Sequence, residues 1–236
     1  MAAGREAHPV LSVELHTHSS HSYDGRDPVE MLLEQAAAVG ADAIAVTDHD
    51  EYEASARAAE LAPDYGLIGI PGMEVTSAAG HVLALGIGEP VPIGRPFGET
   101  LDRIHDAGGI AVIPHPFQDP RSGVAPHVSE AELASADAIE VYNSRLLTGR
   151  ANRKAESFAR ERDLPMTAGS DAHIAEMVGQ AITRVDPDTD DLPGILDAIV
   201  AGRTSVEGRR TPWHVSFRQA AGGAKRRVKN RLRDLL

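Results

Sequence analysis

Along the chain, short apolar runs alternate with longer stretches in which apolar positions recur at three- and four-residue spacing. The runs at residues 11–15, 43–47, 67–75, 81–87, 110–114, 138–142, 165–168 and 181–185 predict buried strands. The stretches at 28–39, 51–61, 97–107, 130–134, 150–162 and 192–201 predict amphipathic helices. Local punctuation agrees with this division. Asp27-Pro28 puts a capping residue ahead of a proline in a first helical turn, Val39-Gly40-Ala41-Asp42 closes that helix on a glycine, and Ala107-Gly108-Gly109 repeats the stop. Strands alternating with helices roughly every 25–35 residues describe βα units, hence the α/β class and a mainly parallel sheet. Six or seven such units with no glycine-rich phosphate loop favour a barrel over a dinucleotide-binding sheet. The alternation ends near Gly208, which divides the chain into a body, 1–208, and a tail, 209–236.

Composition narrows the chemistry that body can carry. Aromatic residues are only 4% of the chain, so the core must be built from Ala, Val, Leu and Ile. There is no cysteine, which excludes disulfides and thiolate metal sites and leaves imidazole and carboxylate as the available ligands. The absence of a secretory leader or a 20-residue apolar run makes a soluble, cytoplasmic protein with no transmembrane segment the expectation. The net charge of −12 is unevenly spread. Residues 209–236 hold nine Lys/Arg and one acid, Asp234, while the preceding 208 residues hold 14 basic and 34 acidic residues. So acidic a body disfavours nonspecific contact with nucleic acid over most of its surface, although bound divalent ions reverse the sign inside a pocket.

Residues able to bind metal recur at the C-terminal ends of the predicted strands. His16 and His18 end the first, Asp48 and His49 the second, Glu74 the third and His115 the fifth. Glu140 lies near the end of the sixth, and Asp171 and His173 follow the seventh. In a parallel barrel these ends converge on one face. The spacings His16-Thr17-His18 and Asp171-Ala172-His173 put both members of each pair on the same side of an extended chain. A single strand-end histidine is usually structural. Ligand-type residues at six strand ends are hard to explain without metal, and two such pairs with Glu74 and His115 form a ligand set for more than one ion.

The segments His16-Thr17-His18-Ser19-Ser20-His21-Ser22-Tyr23-Asp24-Gly25, Thr47-Asp48-His49, Gly72-Met73-Glu74, Pro114-His115-Pro116 and Gly169-Ser170-Asp171-Ala172-His173 resemble, in order, the motifs of the PHP superfamily, named for polymerase and histidinol phosphatase. The resemblance spans residues 11 to about 185. It implies a distorted (β/α)7 barrel of the PHP type, followed here by a short basic tail. It also implies two or three divalent ions, for which imidazole and carboxylate suit Mn, Zn or Fe alike. By the same resemblance His16, His18, Glu74 and Asp171 hold one ion. Glu74 bridges to a second ion that also takes His115, and Asp24, His49 and His173 hold a third. His81, in Gly80-His81-Val82-Leu83-Ala84-Leu85-Gly86, is either a further imidazole for the second ion or a histidine that merely starts a strand. Glu14 stands where the family commonly has Asp, at a position that supports the ligands. His21 reads as a rim residue, and His8, His105, His127 and His214 match nothing. Glu140 and Asp48 are candidates for acceptors that orient ligand imidazoles, with direct ligation by Glu140 left open.

The activity implied is metal-dependent phosphoesterase, with Glu74, His115, Asp171 and His173 as catalytic residues. A hydroxide bridging two ions about 3.5–4 Å apart would attack phosphorus. Arg145, in Asn143-Ser144-Arg145 after the sixth strand, is the expected phosphate clamp, with Asn152 and Arg121 as weaker candidates. The expected substrate is a phosphate ester, a nucleotide or nucleic-acid end being favoured over a histidinol-phosphate-type small molecule. A non-catalytic metal-binding interaction module and a hydrolase of C–N bonds are the alternatives from other classes. The tail, with Val228, Leu232 and Leu235 on one face of a basic helix, has three readings: docking on its own acidic body, nucleic acid, or anionic membrane.

Overall fold

A computed structural model describes residues 8–118, 123–145 and 149–209, so that Arg121, His214 and the tail beyond Arg209 lie outside the described residues. The strands are β1 (Leu11–Glu14), β2 (Ala43–Val46), β3 (Ile68–Ser77), β4 (Gly80–Leu85), β5 (Ile110–Ile113), β6 (Ala138–Asn143), β7 (Met166–Gly169), β8 (Ala181–Val185) and β9 (Thr204–Gly208). The helices are α1 (Val29–Ala38), α2 (Glu53–Leu61), α3 (Phe97–Asp106), α4 (Glu130–Leu133), α5 (Arg150–Arg160) and α6 (Leu192–Val200). None is long and apolar enough to cross a membrane.

The strands form one sheet in the order β7-β6-β5-β4-β3-β2-β1-β8-β9. It is not mainly parallel, as the alternation of elements suggested. The pairs β1/β2, β2/β3, β5/β6 and β6/β7 are parallel, whereas β3/β4, β4/β5, β1/β8 and β8/β9 are antiparallel. For β4 the cause is local: β3 reaches it through Ala78-Ala79 alone, and Ser77 pairs with Gly80. A parallel crossover needs a dozen or more residues, so β4 has to run backwards.

The sheet curls until β7 returns to β1 and β8, giving the nearly closed, distorted barrel. Closure takes two forms. At the rim, Thr17 bridges Ala172, with the His18 N–H donating to the Ala172 carbonyl (2.7 Å) and the Ala172 N–H to the His16 carbonyl (3.3 Å). Deeper down, β8 wedges beside β1, and the Thr183 hydroxyl replaces a strand ladder: Oγ1 accepts from the Ala168 N–H (2.8 Å) and donates to the Ala168 carbonyl (2.9 Å). Thr204 in β9 donates to the Met166 carbonyl at 2.6 Å.

Most barrel strands are buried on both faces, which is why they read as continuous apolar runs. Val13, Leu15, Ala43, Ala45, Leu83, Leu85, Ile110 and Val112 share the interior core with Ile195, Ala198 and Ile199, by which α6 packs against the barrel. The alternate positions face outward: Ile44 and Val46 meet α1 and α2, and Ala111, Ile113, Ile139 and Val141 join the cluster containing α3 and α5. Phe97 and Phe158 are the buried aromatics among the described residues, as the composition implied.

Two local readings are corrected. Asp27 does not cap α1, whose N-cap is Pro28 with no side-chain bond; its Oδ2 accepts the Ala175 N–H at 2.7 Å, starting the 3-10 turn Ala175–Met177. Strand β9 was not foreseen, since TSVEG offers a single apolar side chain and lies largely exposed at the sheet edge.

Candidate metal centre

The ends of β1, β2, β3, β5 and β7, with the segments that follow them, bring eight of the nine proposed ligands together at one end of the barrel. His81 joins them from the start of β4, because an antiparallel strand begins where its neighbours end; Thr76 of β3 lies opposite it. Glu74 is the hub. Its Oε2 lies 3.2 Å from His16 Nε2, 3.2 Å from His18 Nε2 and 3.4 Å from His49 Nδ1. Its Oε1 lies 2.8 Å from His81 Nδ1 and 3.3 Å from His115 Nε2. Each carboxylate oxygen thus faces its own set of imidazoles. On the far side, Asp171 Oδ1 is 3.6 Å from His18 Nε2 and 3.2 Å from His173 Nδ1, and His173 Nε2 is 2.7 Å from Asp24 Oδ2. Asp24 also lies 3.8 Å from His49 Nε2.

Four groups have ligand atoms mutually within 4.8 Å: His18, Asp24, His49 and His173; His16, His115 and Asp171; His16, His18 and Glu74; and His49, Glu74 and His81. These groups could hold metal ions. They divide the residues somewhat differently from the resemblance, placing His18 with the Asp24 group and His115 with His16 and Asp171.

The arrangement is costly for a protein without a ligand there. His18 Nδ1 and Nε2, His49 Nδ1, His81 Nδ1, His115 Nδ1 and Glu74 Oε1 are buried and have no partner in hydrogen-bonding geometry among the described residues. Buried polar atoms are ordinarily paired, and leaving one unpaired costs about 1–3 kcal/mol. Six such atoms around one carboxylate, all of types that coordinate divalent ions, fit a metal centre.

Electrostatics sort the imidazoles into two kinds. Burial pushes His49 down to about 4, and burial together with His173 lowers His18. His16 goes the other way: burial opposes its charge, but Glu140, Glu74 and Asp171 raise it well above the usual range. His81 is likewise raised by Glu74 against its burial. Burial would raise Glu74, yet His49 and His16 hold it well below the usual carboxylate range. Arg145 and His16 do the same for Asp171.

The backbone is strained where it carries two of the candidate ligands. His115 (φ 33°) and Asp171 (φ 51°) adopt left-handed conformations, at about 1–3 kcal/mol each. Gly169 permits the close approach behind them, since a Cβ there would sit 2.5 Å from both Glu140 Oε1 and His16 Cβ.

A layer of acceptors holds the candidate ligands in place. Glu140 Oε1 lies 2.9 Å from His16 Nδ1, and its Oε2 accepts the His115 N–H (2.8 Å) and Asn143 Nδ2 (3.0 Å). Both oxygens are therefore engaged away from the ligand groups. Glu14 takes the His16 and Ser170 N–H groups on Oε1 and the Gly179 N–H on Oε2, tying β1 to the segments after β7 and before β8. Asp48, expected to orient an imidazole, instead binds the Ser19 N–H (2.6 Å) and hydroxyl (2.5 Å), fixing the bend between His18 and Asp24.

Arg145 is half-buried at the edge of the centre, its Nη1 3.1 Å from Asp171 Oδ1 and 2.9 Å from His173 Nε2. Asn152, expected to contact substrate, has both ends of its amide taken by the Asn143 backbone, so it anchors the end of β6. His21 is exposed. His105 pairs with Asp137, His8 lies 3.5 Å from Asp190, and His127 is exposed. The sequence reading missed two residues. Asn143 donates to both Glu140 and Asp171, and its position at a strand end beside Arg145 was the available signal. Tyr23, inside the first motif, stacks on His49.

With this geometry established, comparison with known proteins is decisive at one point. The PHP domain family matches residues 14–143, more than half of the chain, and the PHP-associated family matches residues 149–204. The chain belongs to the PHP domain family. As a member it is a hydrolase of the metal-dependent phosphoesterase class. It is 31% identical over 175 residues to an uncharacterized protein of Methanocaldococcus jannaschii, covering 72% of this chain and 69% of that protein. Among solved structures it resembles a two-domain protein of Bacteroides vulgatus containing a predicted PHP-like metal-dependent phosphoesterase. The TM-score is 0.72 at 22% identity, over 85% of this chain and 65% of that one. It also resembles Endonuclease Q in complex with a 27-mer duplex substrate bearing an abasic lesion at the active site. Here the TM-score is 0.61 at 15% identity, over 86% of this chain and 60% of that one. At such identities the two structures show the fold alone.

Proposed function

We propose that this phosphoesterase hydrolyses a phosphate ester presented by a nucleotide or the end of a nucleic acid, using two or three Mn, Zn or Fe ions. The observation that carries the reading is Glu74, with each carboxylate oxygen facing a separate set of imidazoles. His16, His18, Glu74 and Asp171 would hold one ion, Glu74, His81 and His115 a second, and Asp24, His49 and His173 a third. When bound, such ions lower the pKa of water and neutralise charge on phosphoryl oxygens. Glu140 and Asn143 keep His16 and Asp171 aimed inward. Arg145 offers its remaining N–H groups to the non-bridging phosphate oxygens. Water adds to phosphorus, the ester oxygen leaves as an alcohol, and no covalent adduct with the chain forms. Endonuclease Q, which has this fold and was solved with a DNA duplex, supports a nucleic-acid substrate.

The test is the Mn²⁺-loaded protein against a panel of phosphomonoesters, including nucleotides and histidinol phosphate, and short 5′-labelled RNA and DNA. Cleavage of nucleotides or labelled ends supports the reading, cleavage of histidinol phosphate alone redirects it, and a chain that binds ions but cleaves nothing is an interaction module. Arg145→Ala should raise KM about tenfold or more with metal content unchanged, and unaltered kinetics would remove Arg145 from the phosphate site. The tail beyond Arg209 is proposed to contact nucleic acid or the acidic body, to be separated by deleting residues 222–236 and measuring nucleic-acid affinity.

A further inference from the structure

Three near-parallel rings run outward from the metal centre. His18, fully buried, stacks on His49 with centroids 4.7 Å apart and planes 24° apart; His49 stacks on Tyr23 at 4.7 Å and 19°. Tyr23 is 68% exposed, and among the described residues no other tyrosine or phenylalanine is so open to solvent. The stack therefore begins among the ligands and ends in a free aromatic face. Asp24, the next residue, reaches His173, and the same His173 nitrogen faces Arg145, so the free face stands beside the place proposed for the phosphate.

We propose that the outer face of Tyr23 seats a planar ring carried by the substrate, a nucleobase lying as the fourth layer on Tyr23, His49 and His18. The inference rests on the phosphoesterase reading above and adds the part of the substrate that is recognised. Every base has a π-face, so such a platform distinguishes an ester with a ring from one without it and is tolerant of which base is present. An exposed tyrosine held flat against a ligand imidazole has its ring orientation set before substrate arrives, which lowers the ordering cost of binding.

The experiment compares adenosine 5′-monophosphate with ribose 5-phosphate, which lacks only the base, on the full chain loaded with Mn²⁺. In Y23A the ratio of kcat/KM for the nucleotide over the sugar phosphate should fall by about tenfold or more, the scale of one base stacked on one aromatic ring. In Y23F the ratio should stay within about twofold of wild type. A Y23A variant that slows both esters equally would show Tyr23 merely supporting His49, and a Y23F variant as impaired as Y23A would assign the effect to the hydroxyl; either overturns the platform. Equilibrium dialysis keeps the two proposals separable. If neither ester is cleaved, the mononucleotide part of the substrate reading fails, and the platform is then judged by binding: adenosine 5′-monophosphate must bind wild type about tenfold more tightly than Y23A, and equal binding rejects it.

Discussion

Replacing Glu140 with glutamine tests whether the acceptors behind the ligands, and not the ligands alone, make the centre competent. The carboxylate serves three donors at once: His16 Nδ1–H on one oxygen, the His115 N–H and Asn143 Nδ2 on the other. Glutamine has almost the same shape but one acceptor and one donor group, so it cannot satisfy all three. If its carbonyl turns to His16, its NH₂ faces two buried donors, and the unpaired groups cost about 1–3 kcal/mol each in folding free energy. Asn143 cannot easily flip to compensate, since its Oδ1 accepts the Arg145 N–H at 3.1 Å.

If instead the carbonyl keeps His115 and Asn143, the NH₂ points at His16 Nδ1 and selects the opposite tautomer. Nε2 then carries the proton, aimed at Glu74 Oε2 3.2 Å away, where a coordinating lone pair is needed. Loss of such an orienting partner typically costs 10–100-fold in metal affinity or activity, or about 1.4–2.7 kcal/mol. E140Q is therefore expected to lose either stability or metal affinity by a measurable step. Urea unfolding of the ion-free chain reads the first, and calorimetric titration with Mn²⁺ reads the second. Unfolding within about 0.5 kcal/mol of wild type together with metal affinity within twofold would refute the orienting role.

Three further outcomes follow from the same geometry. Burial pushes Glu14 up to about 7 against the pull of the Ser170, Gly179 and His16 N–H groups, so the folded chain keeps a proton that the unfolded chain has lost above its ordinary value. Its contribution is fully present below about pH 4.5 and lost as pH rises through about 7, a span of roughly 3 kcal/mol; the urea midpoint of the chelated wild type should fall across that window relative to E14Q, and parallel profiles would reject it. His16 and His81 are raised and must give up protons to coordinate, whereas His49, at about 4, has none to give at neutral pH. Metal binding should thus release protons, measured by calorimetry in buffers of different ionisation enthalpy; buffer-independent heats would contradict this. Thr183→Val keeps shape but strands both Ala168 backbone groups, and should cost roughly 2–4 kcal/mol in urea unfolding; a cost under about 0.5 kcal/mol would mean the barrel does not rely on that hydroxyl to close.

What could be read from the chain differs by how local its cause is. The clustering of candidate ligands at strand ends was legible because His-x-His and Asp-x-His are short, and because a buried apolar run followed at once by ionisable residues needs a reason. Closure by Thr183 was not legible, for it depends on β8 arriving beside β7 from fifteen residues away, and a threonine in an apolar strand has no distinguishing mark. Asp27 was misread because proximity favours the adjacent helix, while the fold presents a distant N–H, that of Ala175, at 2.7 Å. Tyr23 was passed over because the motif around it was read for ligands and it is not one.

His81 shows how far a local rule can reach when it is followed through. Taken alone, a histidine at the start of a strand sits at the wrong end of a parallel barrel to join a centre built from strand ends. Yet the predicted strands 67–75 and 81–87 are separated by only five residues, fewer than any parallel crossover requires. The second must therefore return antiparallel to the first, which puts its beginning on the face where the first one ends. Glu74 closes the predicted strand and His81 opens its return, so their meeting at 2.8 Å is a consequence of the short connection. The same step sets β4 antiparallel to both β3 and β5, so those two reversed pairs and the arrival of the sixth imidazole have a single cause.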